Sequence, residues 1–275
     1  MHEDAYPADL LHGMFAKLNA LGVCDEPPAD LYDHGMSDFY DGFMAEYVAD
    51  IPVFEKLAPP GAKVLDLACG AGRIGFALAR LGYTVDGLEL SPAMLELAAA
   101  NAALETPEVR GRVRFVRGDM TGFDMGERYD LVIVGITSIS LLLDPEQRVG
   151  LFRSVAGNLA QDGVFVFDTL DLEGDKWRKL DHFHDVWSVS TSGEFDIGIV
   201  GQRFYPAERR FIFNVYRETG DWDGNVHRRL GYSEKAWFTR EQLAGELDAA
   251  GLIIRAEQLF EDQRFFIVGH RGESR

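Results

Sequence analysis

From Lys63 onward, short apolar runs alternate with longer amphipathic stretches. Lys63–Ala68 (KVLDLA), Tyr83–Leu88 and Val113–Arg117 read as strands. Tyr129–Gly135 (YDLVIVG) and Val164–Thr169 (VFVFDT) are continuously apolar, as strands buried on both faces should be. Between these runs, Arg73–Leu81, Ser91–Leu104 and Asp144–Ala160 carry the helical period. Ser91-Pro92 adds an N-cap followed by proline at the first helical position. A βαβα order of this kind predicts a doubly wound parallel α/β sheet with helices on both faces.

The period changes between Trp187 and Trp237. WSVSTSG, DIGIVGQRFY, RRFIFNVYRET and VHRRLGYSEKAWF alternate with period two and are separated by Gly or Pro, which predicts an antiparallel meander. Thr239 then caps a helix stopped by Gly251, and Leu252–Leu259 and Arg264–His270 close the chain as strands. Ahead of the alternating region, Tyr32, Phe39, Tyr40, Phe43, Tyr47 and Phe54 recur at spacings expected of one face of an amphipathic helix. That segment ends at the breaker Ala58-Pro59-Pro60-Gly61. The expected division is a helical lid segment over 1–60, a core over 61–174 and 238–275, and a β insertion over 175–237 covering an acceptor site.

The chain has 275 residues, with 27 Lys+Arg against 45 Asp+Glu and a net charge of −18 at pH 7. Such a charge excludes nucleic acid as a primary partner, disfavours an anionic membrane surface, and favours neutral or cationic ligands at long range. Cys24 and Cys69 can form neither a disulfide framework nor a four-thiolate zinc site. The segment MHEDAYPADLLHGMF lacks the features of a signal peptide, and no apolar run reaches the length of a membrane span, so a cytoplasmic setting is expected.

The most informative segment is Val64-Leu65-Asp66-Leu67-Ala68-Cys69-Gly70-Ala71-Gly72-Arg73-Ile74-Gly75. It places G-x-G-x-x-G between a strand and a helix, where glycine lets the backbone turn sharply and approach a ligand. Glu89 follows at the end of the second strand, in register to accept both ribose hydroxyls of an adenosine. A nicotinamide cofactor would bring a pyrophosphate to this turn. Asp66, four residues before Gly70, would repel phosphate but could pair with an ammonium group. S-Adenosylmethionine has no phosphate, and it carries an ammonium and a sulfonium.

With these residues in this order, the chain resembles the class I S-adenosylmethionine-dependent methyltransferases from about Tyr32 to Gly269. The acid followed by Gly-x-Gly is Asp66-Leu-Ala-Cys-Gly70-Ala-Gly72, and the ribose acid matches Glu89. Arg117-Gly118-Asp119-Met120 matches the adenine-binding Gly-Asp-Met, and Gly135-Ile136-Thr137-Ser138 matches the turn that lines the methyl group. Asp130 fits the family's aromatic-Asp pattern and reads as structural. The resemblance implies a Rossmann-like seven-stranded sheet whose final strand is antiparallel. The N-terminal helical segment and the β insertion would act as a cap. S-Adenosylmethionine would be the cofactor and S-adenosylhomocysteine its product. The implied cofactor residues are Asp66, Ala68, Gly70, Gly72, Arg73, Glu89, Leu90, Met94, Asp119, Met120 and Ile136.

Cys-Gly-Ala-Gly-Arg73, Leu31-Tyr32-Asp33 with Asp38-Phe39-Tyr40, and the β insertion further resemble natural-product tailoring methyltransferases, including amino-sugar and peptide N-methyltransferases. By that resemblance Tyr32 and Tyr40 would face the sulfonium, where an aromatic ring attracts a cation. The expected acceptor is an amino group of a small molecule or peptide intermediate, which needs little beyond prior deprotonation. A hydroxyl acceptor would instead require a base, for which His182, His184 and His227 are candidates. Asp168 and Asp171 could hold an acceptor ammonium. No metal is expected, because Asp168-x-x-Asp171 lacks further oxygen ligands. An O-methyltransferase, a nicotinamide dehydrogenase and a non-catalytic cofactor-binding protein are the rival readings. A homodimer is compatible with each.

Overall fold

The computed structural model describes residues 6–172, 176–181, 183–190, 193–260 and 262–272. In chain order its elements are α1 (Gly13–Ala20), β1 (Ala29–Asp30), α2 (Ser37–Met44), α3 (Ile51–Glu55), β2 (Lys63–Leu67), α4 (Arg73–Arg80), β3 (Thr84–Glu89), α5 (Pro92–Leu104), α6 (Pro107–Arg110), β4 (Val113–Arg117) and β5 (Tyr129–Val134). A 3-10 turn (Ser138–Leu141) leads to α7 (Pro145–Asn158), β6 (Leu159–Leu170), α8 (Trp177–Leu180), β7 (Phe183–Ser190), β8 (Glu194–Tyr205), β9 (Arg210–Asp221), β10 (Val226–Ala236), α9 (Arg240–Asp248), β11 (Leu252–Phe260) and β12 (Gln263–His270). Contacts group 1–43 with 172–237 in one compact unit, and 44–171 with 238–275 in the other. Among the described residues no helix is long and apolar enough to cross a membrane.

The second unit is built on a seven-stranded sheet in the order β11-β12-β6-β5-β2-β3-β4. β6, β5, β2, β3 and β4 are parallel, and β12 runs antiparallel to β6. One face buries Leu65, Val132, Phe152, Phe165 and Phe167, and the other buries Val64, Ile74, Ile133, Val166 and Phe265. Apolar residues on both faces explain the unbroken hydrophobic runs of β5 and β6. The expected helix to Ala160 ends at Asn158, and the following strand begins at Leu159 with no intervening loop.

Chain direction places the site. From the central β2 the chain adds β3 and β4 on one side, then returns to add β5 and β6 on the other. The switch point therefore lies between β2 and β5, and ligands of such sheets bind at the carboxyl ends of the strands there.

The first unit carries an antiparallel sheet, β10-β9-β8-β7, with β1 added parallel to β10. Helices cover both of its faces, and glycines make the fit possible. A Cβ at Gly198 would lie 2.2 Å from Phe39 of α2, and one at Gly201 would lie 2.6 Å from Phe15 of α1. Arg217 on β9 holds α2 down, donating to both carboxylate oxygens of Asp38 at 2.7 and 2.8 Å and to Asp196 at 2.7 Å.

The single amphipathic helix expected for the N-terminal aromatics is not formed. Tyr32 sits in a turn before α2, Phe39 and Phe43 pack on the antiparallel sheet, and Phe54 of α3 packs on the parallel one. Their spacing reports burial, but in two different cores.

His12 precedes α1, is 9% exposed, and has no hydrogen-bond partner at Nε2 among the described residues. Burial lowers its pKa to about 4, with the neighbouring charges of His184 and Arg203 acting in the same direction. Folding thus favours the neutral ring, and its contribution is complete above pH 6.5 and lost as pH falls toward 4. From pH 7 to pH 4, wild type is expected to lose about 3 kcal/mol more stability than His12→Phe. Denaturant titrations at both pH values test this. Equal losses would show that His12 does not titrate on unfolding.

Candidate functional site

Every cofactor residue expected from the sequence lies in the unit with the parallel sheet, at or just beyond the carboxyl ends of β5, β2, β3 and β4. Four adjacent strands cover about 14 Å of that edge. The glycine turn leaves β2 through left-handed backbone at Ala68 (φ 54°), Gly70 (φ 55°) and Gly72 (φ 89°). A Cβ at Gly70 would meet nothing within 4 Å, whereas one at Gly72 would lie 2.7 Å from the rings of Phe76 and Phe115. Gly70 thus keeps the turn's outer surface open, and Gly72 seats α4 against the sheet. Gly72→Ala is expected to lower the melting temperature by several degrees more than Gly70→Ala, since only the former adds a clash to backbone strain. Equal losses in a thermal scan would contradict this division.

Glu89 ends β3, is 8% exposed, and is aimed back at the turn. Its Oε2 accepts from Gly70 N–H at 2.9 Å and its Oε1 from Ser91 N–H at 2.8 Å. Each carboxylate oxygen has a second acceptor site, so both can still receive hydroxyl donors.

Asp66 lies beneath the turn, 1% exposed, and its Oδ2 has no hydrogen-bond partner among the described residues. Burial drives its pKa up to about 7; Arg73 opposes the shift, and Asp50 and Glu89 reinforce it. A buried acid with one oxygen left unpaired at this edge fits a cationic ligand better than a phosphate.

Arg73 opens α4, and its guanidinium is gripped from within the protein. It donates to Oδ1 and Oδ2 of buried Asp50 at 2.9 and 2.6 Å and to the Tyr47 carbonyl at 2.6 Å. The Tyr47 hydroxyl in turn donates to Gln263 Oε1 at 3.0 Å. Arg73 therefore anchors the segment before β2 to the glycine turn. Asp50 and Tyr47 were not expected at the site, because no spacing in the sequence links them to residue 73.

The remaining candidates occupy different environments. Asp119 is exposed and its Oδ1 accepts from Thr121 N–H and Oγ–H, both at 2.8 Å. Met120 packs on the core, Met94 is buried in the first turn of α5, and Leu90 is exposed beside Glu89. After β5, Ile136 (φ 52°) and Thr137 (φ 55°) are consecutive left-handed residues. Such backbone costs a non-glycine residue about 1–3 kcal/mol and persists where surrounding contacts impose it.

Of the acceptor-side candidates, Asp168 and Asp171 belong to the parallel-sheet unit, and the tyrosines and described histidines fall in the other. Tyr32 and Tyr40 meet edge to face with ring centroids 5.0 Å apart. His227 is exposed at the start of β10, on a cavity of about 420 Å³ shared with Asp196, Arg217 and Asp221. His184 is exposed and stacks on Phe15, and His182 lies outside the described residues. Arg228 and Arg229, on opposite faces of β10, pair with Glu218 and Glu26. Asp171 pairs with Arg264 at 3.1 Å, and buried Asp168 accepts from Thr137 N–H at 2.9 Å.

An open glycine turn at the switch point, with a carboxylate on the next strand and a buried acid beneath, is an arrangement suited to an adenosine ligand without a phosphate. Residues 64–163 match the family model described as a methyltransferase domain. The chain is 32% identical over 201 residues to YqeM of Bacillus subtilis (strain 168), a methyltransferase by name, covering 71% of this chain and 76% of that one. It is 31% identical over 235 residues to the dTDP-3-amino-3,6-dideoxy-alpha-D-glucopyranose N,N-dimethyltransferase of Streptomyces fradiae, covering 82% and 84%. Its fold is similar to that of CalS10, an amino pentose methyltransferase from Micromonospora echinaspora solved with S-adenosylmethionine bound. That likeness has a TM-score of 0.60 at 23% identity, and covers 99% of this chain and 100% of that one. The chain belongs to the class I S-adenosylmethionine-dependent methyltransferases.

Proposed function

We propose that this protein transfers a methyl group to an amino group of a small natural product or peptide intermediate. The observation that carries the choice of acceptor is the likeness to the S. fradiae sugar N,N-dimethyltransferase, which extends over most of both chains. S-Adenosylmethionine, when bound, supplies an electrophilic methyl group on sulfur. Glu89 accepts the ribose hydroxyls, Asp119 the adenine amine, and Asp66 faces the ammonium of the amino-acid end. Gly70, Gly72, Ala68 and Ile136 line the edge with backbone, while Leu90, Met94 and Met120 shape the adenine side. Arg73 contributes by keeping the 44–55 segment on the turn.

The chain's other task is to align the acceptor and exclude water, since displacement at an activated carbon needs little further assistance. Tyr32 and Tyr40 present rings suited to a cationic sulfur, and the net charge of −18 raises the local concentration of cationic amines. His182 and His227 are the bases a hydroxyl acceptor would recruit.

The test uses trideuteromethyl-labelled cofactor with dTDP-3-amino-3,6-dideoxyglucose, a peptide with a free N-terminus and a catechol as probes, read by fragment mass. Label on nitrogen of either amine supports the proposal. Label on the catechol alone would replace it with O-methyl transfer.

A further inference from the structure

We infer that Asp168 is a positioning residue for the cofactor, acting by holding the turn after β5 in a backbone conformation that its side chains do not favour. The inference rests on the cofactor site above and adds how one wall of that site is kept in shape. Ile136 and Thr137 both branch at Cβ, and both stand in the left-handed region. Asp168 on neighbouring β6 is 1% exposed and accepts the Thr137 N–H through Oδ2 at 2.9 Å. Ser138 N–H donates to Gly135 O at 3.1 Å and Ser140 N–H to Thr137 O at 2.8 Å, closing the turn around that anchor.

The far end of the turn is gripped as well. Arg148, 1% exposed, donates to Leu142 O at 2.7 Å, and is itself fixed by Glu246 at 2.7 and 2.8 Å and by the Phe238 ring at 4.1 Å. Two buried polar side chains, Asp168 and Arg148, therefore hold the two ends of one turn. Burying such groups is costly, and here it fixes a geometry that the local sequence opposes. β5 adjoins β2, so the turn stands beside the glycine turn on the same edge. The Thr137 N–H occupies Oδ2 of Asp168, and the effect of Asp168 on the ligand passes through the backbone it holds.

Calorimetric titration with S-adenosylhomocysteine tests the inference, alongside the melting temperature of each variant. Asp168→Asn keeps an acceptor oxygen for the Thr137 N–H and is expected to bind within about threefold of wild type, whereas Asp168→Ala should bind about tenfold more weakly. Adding Thr137→Gly to Asp168→Ala should restore affinity to within about threefold, because glycine takes positive φ without strain. Asparagine binding as weakly as alanine would overturn the inference, since the charge itself would then be in use. Failure of glycine to restore affinity in a variant that melts like wild type would also overturn it. If Asp168→Ala does not fold, the asparagine variant decides by the same threshold. Absence of binding to wild type would instead refute the cofactor site on which the inference rests.

Discussion

Glu89→Ala is expected to weaken S-adenosylhomocysteine binding by about 100-fold or more while leaving the protein folded. The carboxylate makes two hydrogen bonds that shape the site, from Gly70 N–H at 2.9 Å and Ser91 N–H at 2.8 Å. It is also the proposed acceptor of two ribose hydroxyls. Hydrogen bonds to a charged group contribute about 1.5–3 kcal/mol each, so loss of the two ribose bonds alone accounts for that factor. The turn's own loss of shape would add to it. Glu89→Gln, which keeps one acceptor oxygen, should fall between alanine and wild type. Calorimetric titration with S-adenosylhomocysteine measures both. An affinity within threefold of wild type for Glu89→Ala would remove the residue from the cofactor site.

The second large effect is expected at Arg148. Removing one partner of a buried pair leaves the other charge uncompensated, so Arg148→Ala should cost about 3–5 kcal/mol and lower the melting temperature by roughly 10 °C. Replacing both members, Arg148→Met with Glu246→Leu, removes the buried charge altogether and should recover most of that loss. The pair joins α7 to α9, and Arg148 also meets the Leu142 carbonyl and the Phe238 ring. Its loss should therefore be felt across that side of the sheet. Differential scanning calorimetry of the single and double variants provides the test. A single variant that melts within a degree or two of wild type would show that solvent reaches the pair.

Much of the parallel-sheet unit is legible residue by residue. Gly70 and Gly72 are needed because the backbone there is left-handed, and at Gly72 because Phe76 and Phe115 leave no room for a Cβ. Glu89 is readable because a parallel strand of known length ends where its carboxylate faces the turn. Asp50 was not readable. It reaches Arg73 because Ile51, Val53 and Phe54 pack α3 onto the sheet, and no local pattern foretells where a packed helix presents the residue that caps it. The role of Asp168 was missed for a similar reason. Its partner is a backbone N–H on the adjacent strand's turn, and the left-handed conformation of Ile136 and Thr137 runs against their propensity.

The N-terminal aromatics mark the boundary between the two kinds of information. Their spacing reports that one side of each helix is buried, because hydrophobic period follows from the geometry of the chain itself. It does not report against what. Phe39 and Phe43 found the antiparallel sheet and Phe54 the parallel one, a choice made by contacts with residues distant in the chain, such as Val200 and Val215 for Phe39 and Leu131, Val166 and Phe265 for Phe54. The sequence by itself determined the alternating strands and helices of the parallel sheet and their order, the open glycine turn and the acid facing it, all of which depend on local sterics and strand period. Only the tertiary structure decided which buried charges meet, Arg73 with Asp50 and Arg148 with Glu246, and which backbone Asp168 holds. Those pairings depend on packing between elements distant in the chain.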